Sequence, residues 1–118
     1  MAKYENSITG DFNKVVNTLH HDIMESAMSM NLVDETFHQF EDTKVALKVY
    51  DKYFMRNNSR ASLSLTVVGR DEDIYITAIG AGGGQGIIFN FSLGAEQELV
   101  DMVQESIVTM LSRDHFEE

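Results

Sequence analysis

Between Val45 and Ile79 the chain alternates apolar with other residues in three successive runs, separated only by short polar stretches. Val45, Leu47 and Val49 interleave with Ala46, Lys48 and Tyr50; Leu63, Leu65 and Val67 with Ser62, Ser64 and Thr66; Ile74, Ile76 and Ala78 with Tyr75, Thr77 and Ile79. A period of two belongs to strands with one face buried and the other wet. The first-named set of each run is the predicted buried face. Asp51 falls on the apolar side of its run, which predicts a bulge or the end of burial there. The stretches Arg56 to Arg60 and Gly69 to Asp73 are too short for a parallel crossover, so the runs are predicted to pair as antiparallel neighbours.

The rest of the chain is read outward from these strands. Lys3 to Ile8 is predicted as an edge strand. After Asp11, a good N-cap, the residues Phe12, Val15, Val16, Leu19, Ile23, Ala27 and Met30 recur at spacings of three and four, predicting a helix over 12–30. Val33, Phe37 and Phe40 mark a strand within 32–41. Beyond Ile79 comes the glycine-rich stretch Gly80 to Gly86, and Ile87, Phe89 and Phe91 predict a further strand after it. A last helix, capped within Ser92 to Ala95, buries Leu99, Met102, Val103, Ser106, Ile107 and Met110, and the terminal residues after Arg113 are predicted to fray. The expected architecture is α+β: an antiparallel meander sheet of five to six strands with both helices on one face, in the order β-α-β(4–5)-α.

A chain of 118 residues, 43% hydrophobic and 24% charged, is expected to be one globular domain spanning 1–118. Nineteen acidic against nine basic residues give a net charge of −10, which disfavours nucleic acid and anionic membranes as partners. Cysteine is absent, which accords with a reducing cytoplasm and excludes thiol chemistry. The N-terminal residues lack the apolar core of a secretion signal, and no apolar run approaches the ~18 residues that span a bilayer. A cytoplasmic location is therefore expected.

The segments KYE at 3–5, GDF at 10–12, VYDKY at 49–53, NNSRASLSLTVVG at 57–69 and AIGAGGGQG at 78–86 resemble a family of small bacterial proteins, of Firmicutes type, with no assigned activity. The resemblance spans nearly the whole chain. It implies a cytoplasmic single domain and brings no catalytic residues with it. The order of elements is similar to that of the TATA-binding-protein and birch-allergen folds, a likeness of topology that carries no function.

Four features compete as a site. The glycines at 80–86 lack the spacing of a dinucleotide fingerprint, because Gln85 stands where its third glycine belongs, and Gly86 is followed by Ile87 rather than the lysine of a P-loop. They are read first as a connection between two strands and second as a ligand-contacting loop in which Gly82, Gly83, Gly84 and Gln85 border a pocket, with Tyr50, Tyr53 and Arg60 as polar contacts. Lys44, Lys48 and Lys52 share a strand face with Tyr50 and Phe54, and Arg56 and Arg60 follow. Lys48, Lys52 and Arg56 are thus a candidate anion site, against the plainer reading that such cations neutralise Glu35, Glu41 or Asp71. The histidines show no chelating spacing, so no metal and no cofactor is expected. Finally, Tyr50, Phe54, Val68, Tyr75, Ile79 and Ile88 are assigned to the outer sheet face, which is then apolar enough for self-association.

The sequence names no substrate. Its best-supported function is non-enzymatic: a domain that binds a small ligand or a protein, forming a homodimer through the outer sheet face. The alternatives are an enzyme or ligand carrier with a pocket between sheet and C-terminal helix, and a binder of anionic metabolites on the Lys/Arg stripe.

Overall fold

The computed structural model describes residues 1–55, 58–82 and 89–117. In chain order these form β1 (Ala2–Thr9), α1 (Phe12–Glu25), β2 (Met30–Phe40), β3 (Thr43–Phe54), β4 (Ser59–Arg70), β5 (Asp73–Gly82) and α2 (Phe89–Glu117). The strands make one sheet of five in the order β1-β5-β4-β3-β2, antiparallel throughout. Both helices lie on one side of it, as the two-layer expectation required.

Capping sets the length of α1. Extended Asp11 accepts the Lys14 backbone N–H at 2.9 Å through its carboxylate. At the other end the Ser26 N–H and hydroxyl both turn back onto the last helical carbonyls, the hydroxyl reaching Ile23 O at 2.8 Å. The helix therefore stops at Glu25 and not at residue 30. Met30 is buried instead as the first residue of β2.

Hairpin geometry fixes the register. Phe40 pairs with Thr43 and Arg70 with Asp73 across two-residue turns, whose first residues, Glu41 (φ 57°) and Asp71 (φ 56°), take the left-handed conformation. Since paired residues share a face, β4 places Leu63, Leu65 and Val67 under the helices opposite Tyr50, Lys48 and Ala46 of β3. The face of β3 is thus the reverse of the expected one. Ala46, Lys48, Tyr50 and Phe54 are buried, whereas Val45, Leu47 and Val49 lie on the uncovered side. Tyr50 and Phe54 accordingly leave the outer-face group. Asp51 pairs regularly with Ser62, and the irregularity in the sheet falls in β2 between Leu32 and Asp34.

Two glycines let helices sit close on the sheet. A Cβ at Gly80 would lie 2.6 Å from the Glu96 backbone oxygen of α2, and one at Gly69 would lie 2.6 Å from the Phe12 ring of α1. The first clash is with backbone and cannot be relieved by a rotamer. The core beneath joins Leu19 and Ile23 of α1, Leu63, Leu65, Ile74 and Ile76 of the sheet, and Leu99, Val103 and Ile107 of α2.

The last helix begins earlier than predicted and runs further, to Glu117. Phe89 and Phe91 are helical, so the expected sixth strand does not form there. Gly80 and Gly82 belong to β5 itself. Gly83, Gly84, Gln85, Ile87, Ile88 and Arg56 lie outside the described residues.

Candidate functional site

Polar groups gather under the helices at one place. Tyr50, fully buried on β3, is within 2.8 Å of His20 Nδ1 on α1, their rings tilted with centroids 5.7 Å apart. The hydroxyl and Nδ1 share one hydrogen bond, whose donor is set by the imidazole tautomer. Burial, and then the negative charge of Glu35, raises the Tyr50 pKa and keeps it protonated. Burial, then the positive charge of Lys48, lowers that of His20; Glu35 opposes this and His21 adds slightly to it.

Two residues before Tyr50 on the same face, Lys48 is 6% exposed and ion-paired with Glu35 of β2. Its ammonium stands 5.3 Å from the centre of the Phe37 ring. Paired, capped by a ring and dry, Lys48 is a structural cation, as the neutralising reading of the stripe held. The other stripe residues divide similarly. Lys52 lies 4.2 Å over the Phe54 ring, and Lys44 lies 6.0 Å from that of Phe12.

Of the residues grouped around the expected glycine-loop pocket, Tyr50, Tyr53, Arg60 and Gly82 are described. Tyr50 faces the helices, while Tyr53 and Arg60 pair with each other on the opposite face, where Arg60 reaches Asp51 at 3.4 Å. Gly82 donates its N–H to the Glu96 carboxylate. The other oxygen of Glu96 has no hydrogen-bond donor in line, but the Met1 ammonium stands beside it as counter-charge. With Gly80 against the backbone of Glu96, α2 is in direct contact with the sheet there.

His20 was missed as a partner of Tyr50. Its position four residues after Val16 and one turn before Ile23, on the apolar stripe of α1, was the signal available.

Among the described residues no element covers the opposite face of the sheet. Ser62, Ser64, Thr66 and Val68 of β4, Thr77 and Ile79 of β5 and Val45 and Val49 of β3 are half-exposed there, with Leu47 at 37% and Tyr75 at 63%. A shallow depression of about 150 Å³ lies where Asp34 and Thr36 meet Leu47 and Val49. From Asp34 onward β2 is exposed on both faces and along its free edge, with Phe37 at 55% and Phe40 at 77%.

Among the described residues no three histidine or acidic side chains gather as they would around a metal ion, and no helix is long and apolar enough to cross a membrane. No curated protein matches the chain. The crystal structure of TTHA0849 from Thermus thermophilus aligns over 92% of this chain and 91% of its own, at 14% identity and a TM-score of 0.35, too slight a likeness to carry an argument. The model of a family described as a family of unknown function (DUF6054) matches residues 1–111, and the chain belongs to that family.

Proposed function

We propose that the chain is a single, cytoplasmic, non-enzymatic binding domain that self-associates through the uncovered sheet face. One observation carries this reading. Each copy bears a net charge of −10, yet the middle of that face, from Val45 and Val49 across Ser64 and Thr66 to Thr77 and Ile79, contains no charged side chain. Two like-charged copies meet there without placing acid against acid, and two such faces stack at the ~10 Å spacing of a sandwich. Absence of cysteine accords with the cytoplasm. Salt strengthens the association, since it screens the repulsion of the flanking carboxylates.

The polar group under α1 supports binding less well. Its lysine is already paired and its tyrosine fully buried, so no face of either is left for a substrate.

Light scattering after size exclusion, at high micromolar concentration, tests the proposal. A mass of two chains is expected, falling to one in Leu47→Asp/Ile79→Asp with the far-UV circular dichroism of the fold retained. A natural chain that stays strictly monomeric overturns it.

A further inference from the structure

On the helix side, at the end of the sheet away from Gly82, the start of α1 and the last turns of α2 leave a cavity of about 410 Å³. Ile8, Val15, Met110 and Leu111 give it an apolar wall, and Thr18 and the exposed Lys14 and Arg113 also line it. Its volume falls within the range of small-molecule sites.

The two cations are what set this cavity apart. Acidic residues outnumber basic ones by nineteen to nine, and most described cations have found a partner. Lys3 lies 3.5 Å from Glu5, Arg60 3.4 Å from Asp51 and Arg70 3.3 Å from Asp42, while Lys48 has Glu35. Lys44 and Lys52 lie over rings. Lys14 and Arg113 have neither acid nor ring among the described residues, and both border the same cavity. Asp11 also borders it, but its carboxylate is committed to the Lys14 backbone N–H.

Lys14 is moreover in an adverse place. It occupies the first turn of α1, which holds no acidic residue and where the helix dipole repels a cation. The N-cap carboxylate of Asp11 offsets part of this, but neither acid nor ring faces the Lys14 ammonium among the described residues. A bound anion would meet Lys14 and the fork of Arg113 together, with the Asp11 carboxylate as the one opposing charge in the lining.

We propose that this cavity binds an amphipathic carboxylate, its head held by Lys14 and Arg113 and its apolar body against Ile8, Val15, Met110 and Leu111. The site lies on the opposite side of the sheet from the self-association face and stands without it.

Octanoate is the probe, titrated into the full chain and followed by amide NMR, with octan-1-ol and inorganic phosphate as comparisons. Expected are shifts at residues 9–14 and 110–113 with octanoate, and much weaker ones with either comparison. Lys14→Gln and Arg113→Gln should each weaken octanoate about tenfold, the loss of one charge-assisted contact. Lys14→Gln leaves the melting temperature unchanged or raises it, because it removes a cation from the dipole's positive end, so weaker binding cannot be charged to unfolding. Silence up to about 10 mM octanoate, a ceiling that still catches millimolar binding, overturns the proposal. So do shifts confined elsewhere, affinity indifferent to both substitutions, or phosphate or octan-1-ol binding as well as octanoate.

Discussion

Strands β4 and β2 belong to one sheet but live in different solvents. On β4, Leu63, Leu65 and Val67 are at most 1% exposed under the helices. On β2, every residue from Val33 to Phe40 is exposed. The difference follows from helix length. At 29 residues α2 is about 44 Å long and can accompany a strand from end to end, whereas α1, at 14, is about 21 Å. The 11-residue β2 runs about 37 Å, so α1 cannot cover all of it. Apolar residues at the start of β2, such as Met30, are therefore core, and those at its end, such as Phe40, are surface.

The sharpest way to break this contrast is a matched pair of truncations. Leu65→Ala should cost about 3 kcal/mol of unfolding free energy, and Phe40→Ala should stay within about 0.5, in urea titrations of dilute protein. Similar costs would show that the β2 tip is packed after all. Next in size is the one strong tie between the bare strand and the covered one. Glu35→Ala strands the buried Lys48 ammonium and should cost about 2 kcal/mol, less than a fully buried pair because Glu35 keeps 42% of its side-chain exposure. Lys48→Met in the same background should recover much of the loss.

The smallest effect is pH-dependent and reports on the α1–β3 contact. His20 has a lower pKa folded than its ordinary 6.5, so the folded chain binds fewer protons there than the unfolded one. The stability this contributes is present above about pH 6.5 and is lost as the pH falls through the folded value. Lys48, Glu35, His21 and the Tyr50 hydroxyl are the groups that face it. Thermal melts from about pH 7.5 to 5 should show a shallower decline in His20→Gln than in the natural chain. Equal slopes would mean that His20 does not sense its burial.

The same contrast explains what could be read from the sequence. On β4 the inner residues are Leu and Val and the outer ones mostly Ser and Thr, so alternation alone names the faces. β3 defeats that logic. Val45, Leu47 and Val49 are more apolar than Ala46, Lys48 and Tyr50, yet pairing with Leu63, Leu65 and Val67 turns the second set inward. Register is a property of two strands, and no single strand states it. Phe89 and Phe91 failed for another reason: a short apolar run fits a strand or a buried helix equally well. The site was less legible than the fold, because His20 and Tyr50 meet across thirty residues of chain, and Lys14 and Arg113 border one cavity from nearly a hundred residues apart. Spacing rules reach only a turn or a hairpin.

The sheet order also sets a timetable. From β3 to β5 each strand pairs with the one made just before it, but β1 finds its neighbour only in β5, with Ala2 opposite Gly80. During synthesis at ~5–20 residues per second, the first strand made waits several seconds for the last, its Ile8 side chain uncovered meanwhile. The loop-closure cost of bringing β1 to β5 exceeds that of any hairpin in the meander, because the chain between Thr9 and Asp73 must be ordered before the contacts repay it. Among the five strands β1 is built first, and it closes the longest loop when it is seated.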